Sequence, residues 1–153
     1  MRVLFIGGTG NISLACTRLL AERGVDLHLF VRGSTQVDLP SGVQLIRGDI
    51  RDKSAAALLG GQVFDAVVDW IAYSPEHIES DIALFKGRTE QFVFISSASA
   101  YQKPPASYVV TEGTPLENPY WQYSRDKIKC EARLLQEYSS SGFPATIVRP
   151  SYT

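Results

Sequence analysis

Short apolar runs alternate with stretches of helical spacing along the whole chain. Val3–Ile6 is the first run, and Leu27–Val31 and residues 42–46, 63–71, 91–95 and 145–148 follow. Short apolar runs bounded by turn residues predict strands covered on both faces. Between the first two, Ile12, Cys16, Leu19 and Leu20 recur at helical spacing. They predict a helix from Asn11 to Arg23, stopped by Gly24. Residues 52–60 predict a short helix, and Pro75, suited to a first helical turn, opens another that runs to Phe85. A loop holding Pro104, Pro105, Pro115 and Pro119 precedes a long helix from Tyr120 to Tyr138. The serine run Ser139–Ser141 and Gly142 are expected to end it. Strands that alternate with helices predict an α/β fold, a doubly wound parallel sheet in three α/β/α layers. No composition shift or linker divides the chain.

In an open parallel sheet, ligands bind outside the carboxyl ends of the strands. Small and polar residues gather at those ends. Gly7, Gly8 and Gly10 follow the first strand, Arg32 the second, and Asp49 with Ile50 the third. Ala72 and Tyr73 follow the fourth, Ser96, Ser97 and Ser99 the fifth, and Arg149, Pro150 and Ser151 the sixth. Gly7 can make the tight turn out of the strand, and Gly10 lets a pyrophosphate approach the backbone. The next helix opens at Asn11 and Ile12 and aims its unpaired N–H groups at that phosphate. This strand–glycine–helix order predicts dinucleotide binding in a sheet of Rossmann type. The third glycine position is Ser13, a small residue, so slightly looser helix packing is expected there. An acidic residue usually holds the ribose 2′-hydroxyl at the end of the second strand. Arg32 stands there instead, and its fork suits a 2′-phosphate, which favours NADP and leaves NAD possible.

Tyr123 and Lys127 lie four residues apart at the start of the long helix and so share a face. A phenol is a poor base at neutral pH, and an ammonium beside it would favour the phenolate. Such a pair could move a proton to or from a substrate hydroxyl or carbonyl, with the Ser97 hydroxyl holding the substrate oxygen. Tyr120 and Trp121 are expected to pack against the sheet. The basic residues Arg125, Lys127, Lys129 and Arg133 are interleaved with acids and fit a solvated helix face.

Composition narrows the partners. The chain has 153 residues, the size of one domain, and a formal net charge of −1. That balance gives no reason to expect nucleic acid or a membrane surface as partner. Cys16 and Cys130 are far apart and lack metal-ligand spacing, so two reduced thiols, no metal and a cytoplasmic protein are expected. His28 and His77 have no ligand-spaced partners and fit packed or solvated roles.

Five segments in register carry a family resemblance: "GGTGNIS", "GDIRD" at 48–52, "FVFISSASAYQ" at 92–102, "YSRDK" at 123–127 and "IVRPS" at 147–151. Together they resemble the extended short-chain dehydrogenase/reductase family, the NAD(P)-dependent epimerase/dehydratase group. The resemblance implies hydride transfer to and from a nicotinamide, coupled to proton transfer through Tyr123. It implies Ser97, Tyr123 and Lys127 as the catalytic residues, with Lys127 also on the nicotinamide ribose. It implies Gly7, Gly10, Asn11, Ile12, Arg32, Asp49, Ile50, Ala72, Lys127 and Pro150 as cofactor contacts, Asp49 at the adenine ring. Substrates in this family are often nucleotide-linked sugars. Two departures stand out. The fourth strand ends in Asp69-Trp70-Ile71-Ala72-Tyr73 instead of a His-Leu-Ala-Ala-like run, and Gln102 stands where glycine often follows the Tyr101 position. Residues 1–153 would then be the dinucleotide-binding domain of a longer protein whose substrate domain lies outside this chain, with a homo-oligomer possible for the whole. The alternative is a non-catalytic dinucleotide-binding module, a redox sensor or an RNA- or partner-binding protein.

Overall fold

The computed structural model describes residues 1–151. Six parallel strands form one sheet: β1 (Arg2–Ile6), β2 (Asp26–Val31), β3 (Gln44–Arg47), β4 (Phe64–Asp69), β5 (Thr89–Ile95) and β6 (Ala145–Val148). Their order is β3-β2-β1-β4-β5-β6. The chain therefore winds outward from β1 through β2 to β3, then crosses back to β4 and winds the other way. The reversal opens a crevice beyond the carboxyl ends of β1 and β4, where such sheets bind their ligands.

Helices α1 (Asn11–Glu22), α2 (Ala55–Leu59), α3 (Pro75–Phe85) and α4 (Gln122–Ser141) connect the strands. One face of the sheet packs Leu4, Ile6, Phe64 and Phe92 against Leu59 of α2, Phe85 of α3 and Leu134 of α4. The other packs Val3, Phe5, Leu27 and Leu29 against Cys16 and Leu20 of α1. Three α/β/α layers result, as the alternation predicts. No helix among the described residues is long and apolar enough to cross a membrane.

Several boundaries move, each for a local reason. α1 buries Ser13 and Thr17, while Leu19 is 45 % exposed. Its stripe is turned so that small side chains meet the glycine turn, with Thr17 Oγ1 donating to the Gly8 carbonyl at 2.9 Å. β4 ends at Asp69, because the Asp69 carboxylate accepts the N–H groups of Ile71 and Ala72 and turns the chain out of the sheet. α4 begins at Gln122 and continues through the serine run to Ser141. The hydroxyls of Ser139 and Ser141 bond back to the Leu135 and Glu137 carbonyls instead of breaking the helix. Gly142, in the left-handed region at φ +72°, is the stop.

Candidate active site

A cleft of about 550 Å³ opens at the strand ends, and it gathers residues far apart in the chain. Gly7, Gly10, Asn11 and Ile12 line it from the β1–α1 turn, Ser97 from the end of β5, Tyr123 and Lys127 from α4, and Pro150 from beyond β6. A recess of about 110 Å³ adjoins it and is lined by Arg32, Asp49 and Ile50. Ala72 lines neither space and is fully buried. It meets the site through its carbonyl, which accepts Lys127 Nζ at 2.7 Å.

The glycine turn is built for close approach. Gly7 and Gly8 have φ of +99° and +106°, a region side chains avoid. A Cβ on Gly8 would fall 2.7 Å from Leu29 Cδ2, and one on Gly7 3.2 Å from Ile71 Cγ2. Gly10 is different: its φ is −83°, and a Cβ there would meet only Ser13 Oγ at 3.4 Å. Nothing among the described residues requires glycine at Gly10. Ser13 Oγ accepts the Gly10 N–H at 2.9 Å, and Ser13 is buried. The serine thus closes the turn on itself, and its side chain is small enough to be buried where the third glycine was expected.

Lys127 is 1 % exposed. It is no part of a solvated basic face, since its Nζ donates to the carbonyls of Ala72 and Ile95, each at 2.7 Å. Burial lowers its pKa from 10.5 to about 8, opposed by the charge of Asp69. The aromatic rings of Phe94, Tyr73 and Tyr123 surround the ammonium, with centroids at 4.6, 5.1 and 5.6 Å.

Tyr123 runs against the sequence expectation. Its pKa is raised, first by burial and then by the neighbouring Tyr73, with hydrogen bonding by the Ser97 side chain working the other way. The ammonium shares the tyrosine's face, donates to two carbonyls and lies 5.6 Å from the tyrosine ring, and burial still sets the direction of the shift. At neutral pH the phenol keeps its proton.

Ser97 Oγ donates to Ser99 Oγ at 2.9 Å and accepts the Ser99 N–H at 3.1 Å. Ser99 Oγ also accepts from Ser124 Oγ at 2.9 Å, and Asn118 Nδ2 donates to the Ser99 carbonyl at 2.8 Å. This relay anchors Ser97 to the start of α4. Sequence reading missed Ser124 and Asn118, and no spacing signal marks either. Ser96 is structural: its hydroxyl donates to the buried Glu131, which also takes Arg149 through both oxygens. Trp121 is not packed on the sheet. It is 54 % exposed, lines the cleft and stacks on Tyr123 with ring centroids 4.8 Å apart, and Tyr120 is also exposed.

Comparison with known proteins bears on the family and the fold. Residues 7–153 match the family model described as NAD(P)H-binding. A curated relative, 2'-dehydrokanamycin reductase of Streptomyces kanamyceticus, is 27 % identical over 97 % of this chain and 42 % of its own. Another, the chloroplast stem-loop binding protein of 41 kDa b of Arabidopsis thaliana, is 28 % identical over 99 % of this chain and 42 % of its own. The UDP-Glc/GlcNAc 4-epimerase of Campylobacter jejuni superposes with a TM-score of 0.84 at 22 % identity, over 97 % of this chain and 52 % of that one. UDP-glucose 4-epimerase of Brucella ovis, solved in complex with NAD, gives 0.82 at 23 %, over 97 % and 51 %. The chain therefore spans less than half the length of the curated relatives it matches and about half that of these structures.

Proposed function

Because the chain belongs to the NAD(P)H-binding family, as a protein of the extended short-chain dehydrogenase/reductase type, we propose that it forms the dinucleotide-binding part of an NAD(P)-dependent reductase, epimerase or dehydratase. The observation that carries this reading is the meeting of Ser97, Tyr123 and Lys127 with the glycine turn in one cleft. A bound nicotinamide would supply or take the hydride at a substrate carbon. Tyr123, protonated at neutral pH, gives its proton to the carbonyl oxygen in the reducing direction and recovers one from the hydroxyl in the other. Ser97 holds that oxygen. Lys127 faces the nicotinamide half with a donor left over after its two carbonyls. The free N–H groups at the start of α1 and the bare backbone of Gly10 suit the pyrophosphate. Asp49 and Ile50 wall the adenine. A substrate with a hydroxyl or carbonyl on a nucleotide-linked sugar fits this chemistry. The free thiols of Cys16 and Cys130 fit a cytoplasmic protein.

Arg32 supports NADP. It lines the adenine-side recess, at the end of the strand where a carboxylate would hold a 2′-hydroxyl, and Arg47 Nη1 lies 3.1 Å from where a Gly33 Cβ would stand. Two guanidiniums near one turn suit a dianion.

A stem-loop-binding relative gives the non-catalytic reading its one support. Against it, Arg133 of α4 is paired with Glu79 and Glu137, and Lys127 is buried. The test is Tyr123→Phe, followed by nicotinamide absorbance with a panel of carbonyl substrates and sugar nucleotides. Turnover should fall by more than about a hundredfold with dinucleotide affinity retained, as for loss of a general acid. Undiminished turnover would remove Tyr123 from the chemistry.

A further inference from the structure

Arg51 belongs to the turn that carries Asp49 and Ile50, and its backbone N–H donates to Asp49 Oδ1 at 3.0 Å. Its side chain leaves that turn and runs behind the end of β4. There Nη2 donates to Asp69 Oδ2 at 2.7 Å, while Nη1 donates to the His77 carbonyl at 3.1 Å and pairs with Asp81. Both aspartates have no exposed surface. Asp69 uses its other oxygen in a different direction, with Oδ1 accepting the N–H of Ile71 at 2.6 Å and of Ala72 at 2.8 Å. Those bonds set the turn from which the Ala72 carbonyl reaches Lys127 Nζ. A line of polar contacts thus runs from the adenine-side recess, behind the sheet's end, to the ammonium in the cleft.

None of Arg51, Asp69 and Asp81 lines the cleft or the recess, and with no exposed surface the two aspartates act on a bound dinucleotide only through other residues. One guanidinium serves two buried carboxyls. Burial and the adjacent Asp69 push the Asp81 carboxyl well above its ordinary range, and its Oδ2 has no partner. The sequence marks the place as well: Asp69 opens the run that departs from the family pattern.

We propose that Asp69 is a positioning residue for the nicotinamide end of the cofactor: it holds the Ala72 turn, and through it Lys127, while Arg51 ties that hold to the Asp49 turn at the adenine end. This rests on the reading that Lys127 faces the nicotinamide half. An amide cannot replace the carboxylate. Asparagine has one acceptor oxygen, so it can serve either the Ile71 and Ala72 N–H groups or Arg51. Whichever way it turns, its own NH₂ faces another donor.

The test uses calorimetric titration with whichever of NADPH and NADH binds the wild type more tightly, and with its adenine half, 2′,5′-ADP or ADP. Asp69→Asn should weaken the dinucleotide by about tenfold, roughly one charged hydrogen bond, and the adenine half by less than about twofold. Asp81→Asn, which keeps an acceptor oxygen for Arg51 and has no bond to the Ala72 turn, should leave both unchanged. Arg51→Met should weaken both. If Asp69→Asn melts below the assay temperature, Asp69→Ser takes its place; its hydroxyl can accept one of the two N–H groups, so a smaller loss on the dinucleotide alone is expected. Equal losses on the two ligands, or no loss on either, would overturn the positioning role. A wild type that binds neither dinucleotide would overturn the proposed function itself, and the positioning role with it.

Discussion

Lys127→Met isolates one buried charge from every other titration in the protein. The ammonium is 1 % exposed, and its pKa falls from 10.5 to about 8. At about 1.4 kcal/mol per unit, holding that proton costs the folded state ~3 kcal/mol in neutral solution. The sign follows from which state binds more protons. Between about 8 and 10.5 the unfolded chain keeps the lysine proton while the folded chain has released it. Raising the pH through this window therefore favours folding. Methionine has similar length and no proton, and it leaves the Ala72 and Ile95 carbonyls without their donor at every pH. That loss is a constant offset. Urea unfolding followed by circular dichroism, from about pH 7 to about pH 10.5, gives the stability of both proteins. The wild-type stability minus that of the variant should climb by ~3 kcal/mol across the range. All groups common to the two proteins cancel in that difference. A flat or falling difference would refute the burial argument for Lys127.

Three further outcomes follow from the same structure. Gly8→Ala places a Cβ 2.7 Å from Leu29 Cδ2 at a φ of +106°. It should cost about 2 kcal/mol of stability in chemical denaturation, from strain and overpacking together. Arg32→Ala should weaken NADPH by about tenfold, as for one charged contact, and leave NADH within about twofold, measured by nucleotide fluorescence. Hydrogen bonds from Lys86, Ser141 and Arg133 hold the Glu137 carboxyl down from 4.5 to about 2. This group's support is present above its ordinary pKa and lost as the pH falls toward the folded value, so the stability advantage of wild type over Glu137→Gln should shrink on acid titration from about pH 5 to about pH 2.

Periodicity made the layers and the winding legible, because strand burial on both faces and helix burial on one leave direct marks in the apolar pattern. The site was legible wherever a local rule forces a residue type. A positive φ forces glycine at Gly7 and Gly8, and helical geometry puts Tyr123 and Lys127 on one face. The rest depended on partners that no local rule selects. The serine run looked like a helix end because serine competes for backbone hydrogen bonds. In place, the same hydroxyls bond to carbonyls one turn back and the helix continues. Leu19 fitted the apolar stripe, yet the close contact of α1 with the glycine turn selects Ser13 and Thr17.

The Tyr123–Lys127 pair shows most clearly where local reasoning stops. Four-residue spacing guarantees a shared face, and the two side chains do share it. Spacing says nothing of where an ammonium spends its donors. That choice is made by the carbonyls of Ala72 and Ile95, which come from the ends of different strands. One of those carbonyls is aimed by Asp69, itself anchored by an arginine from a third connection. The consequence is chemical. The Lys127 ammonium stands 5.6 Å from the Tyr123 ring with its donors on backbone carbonyls, and the phenol's pKa still moves upward because burial outweighs the rest.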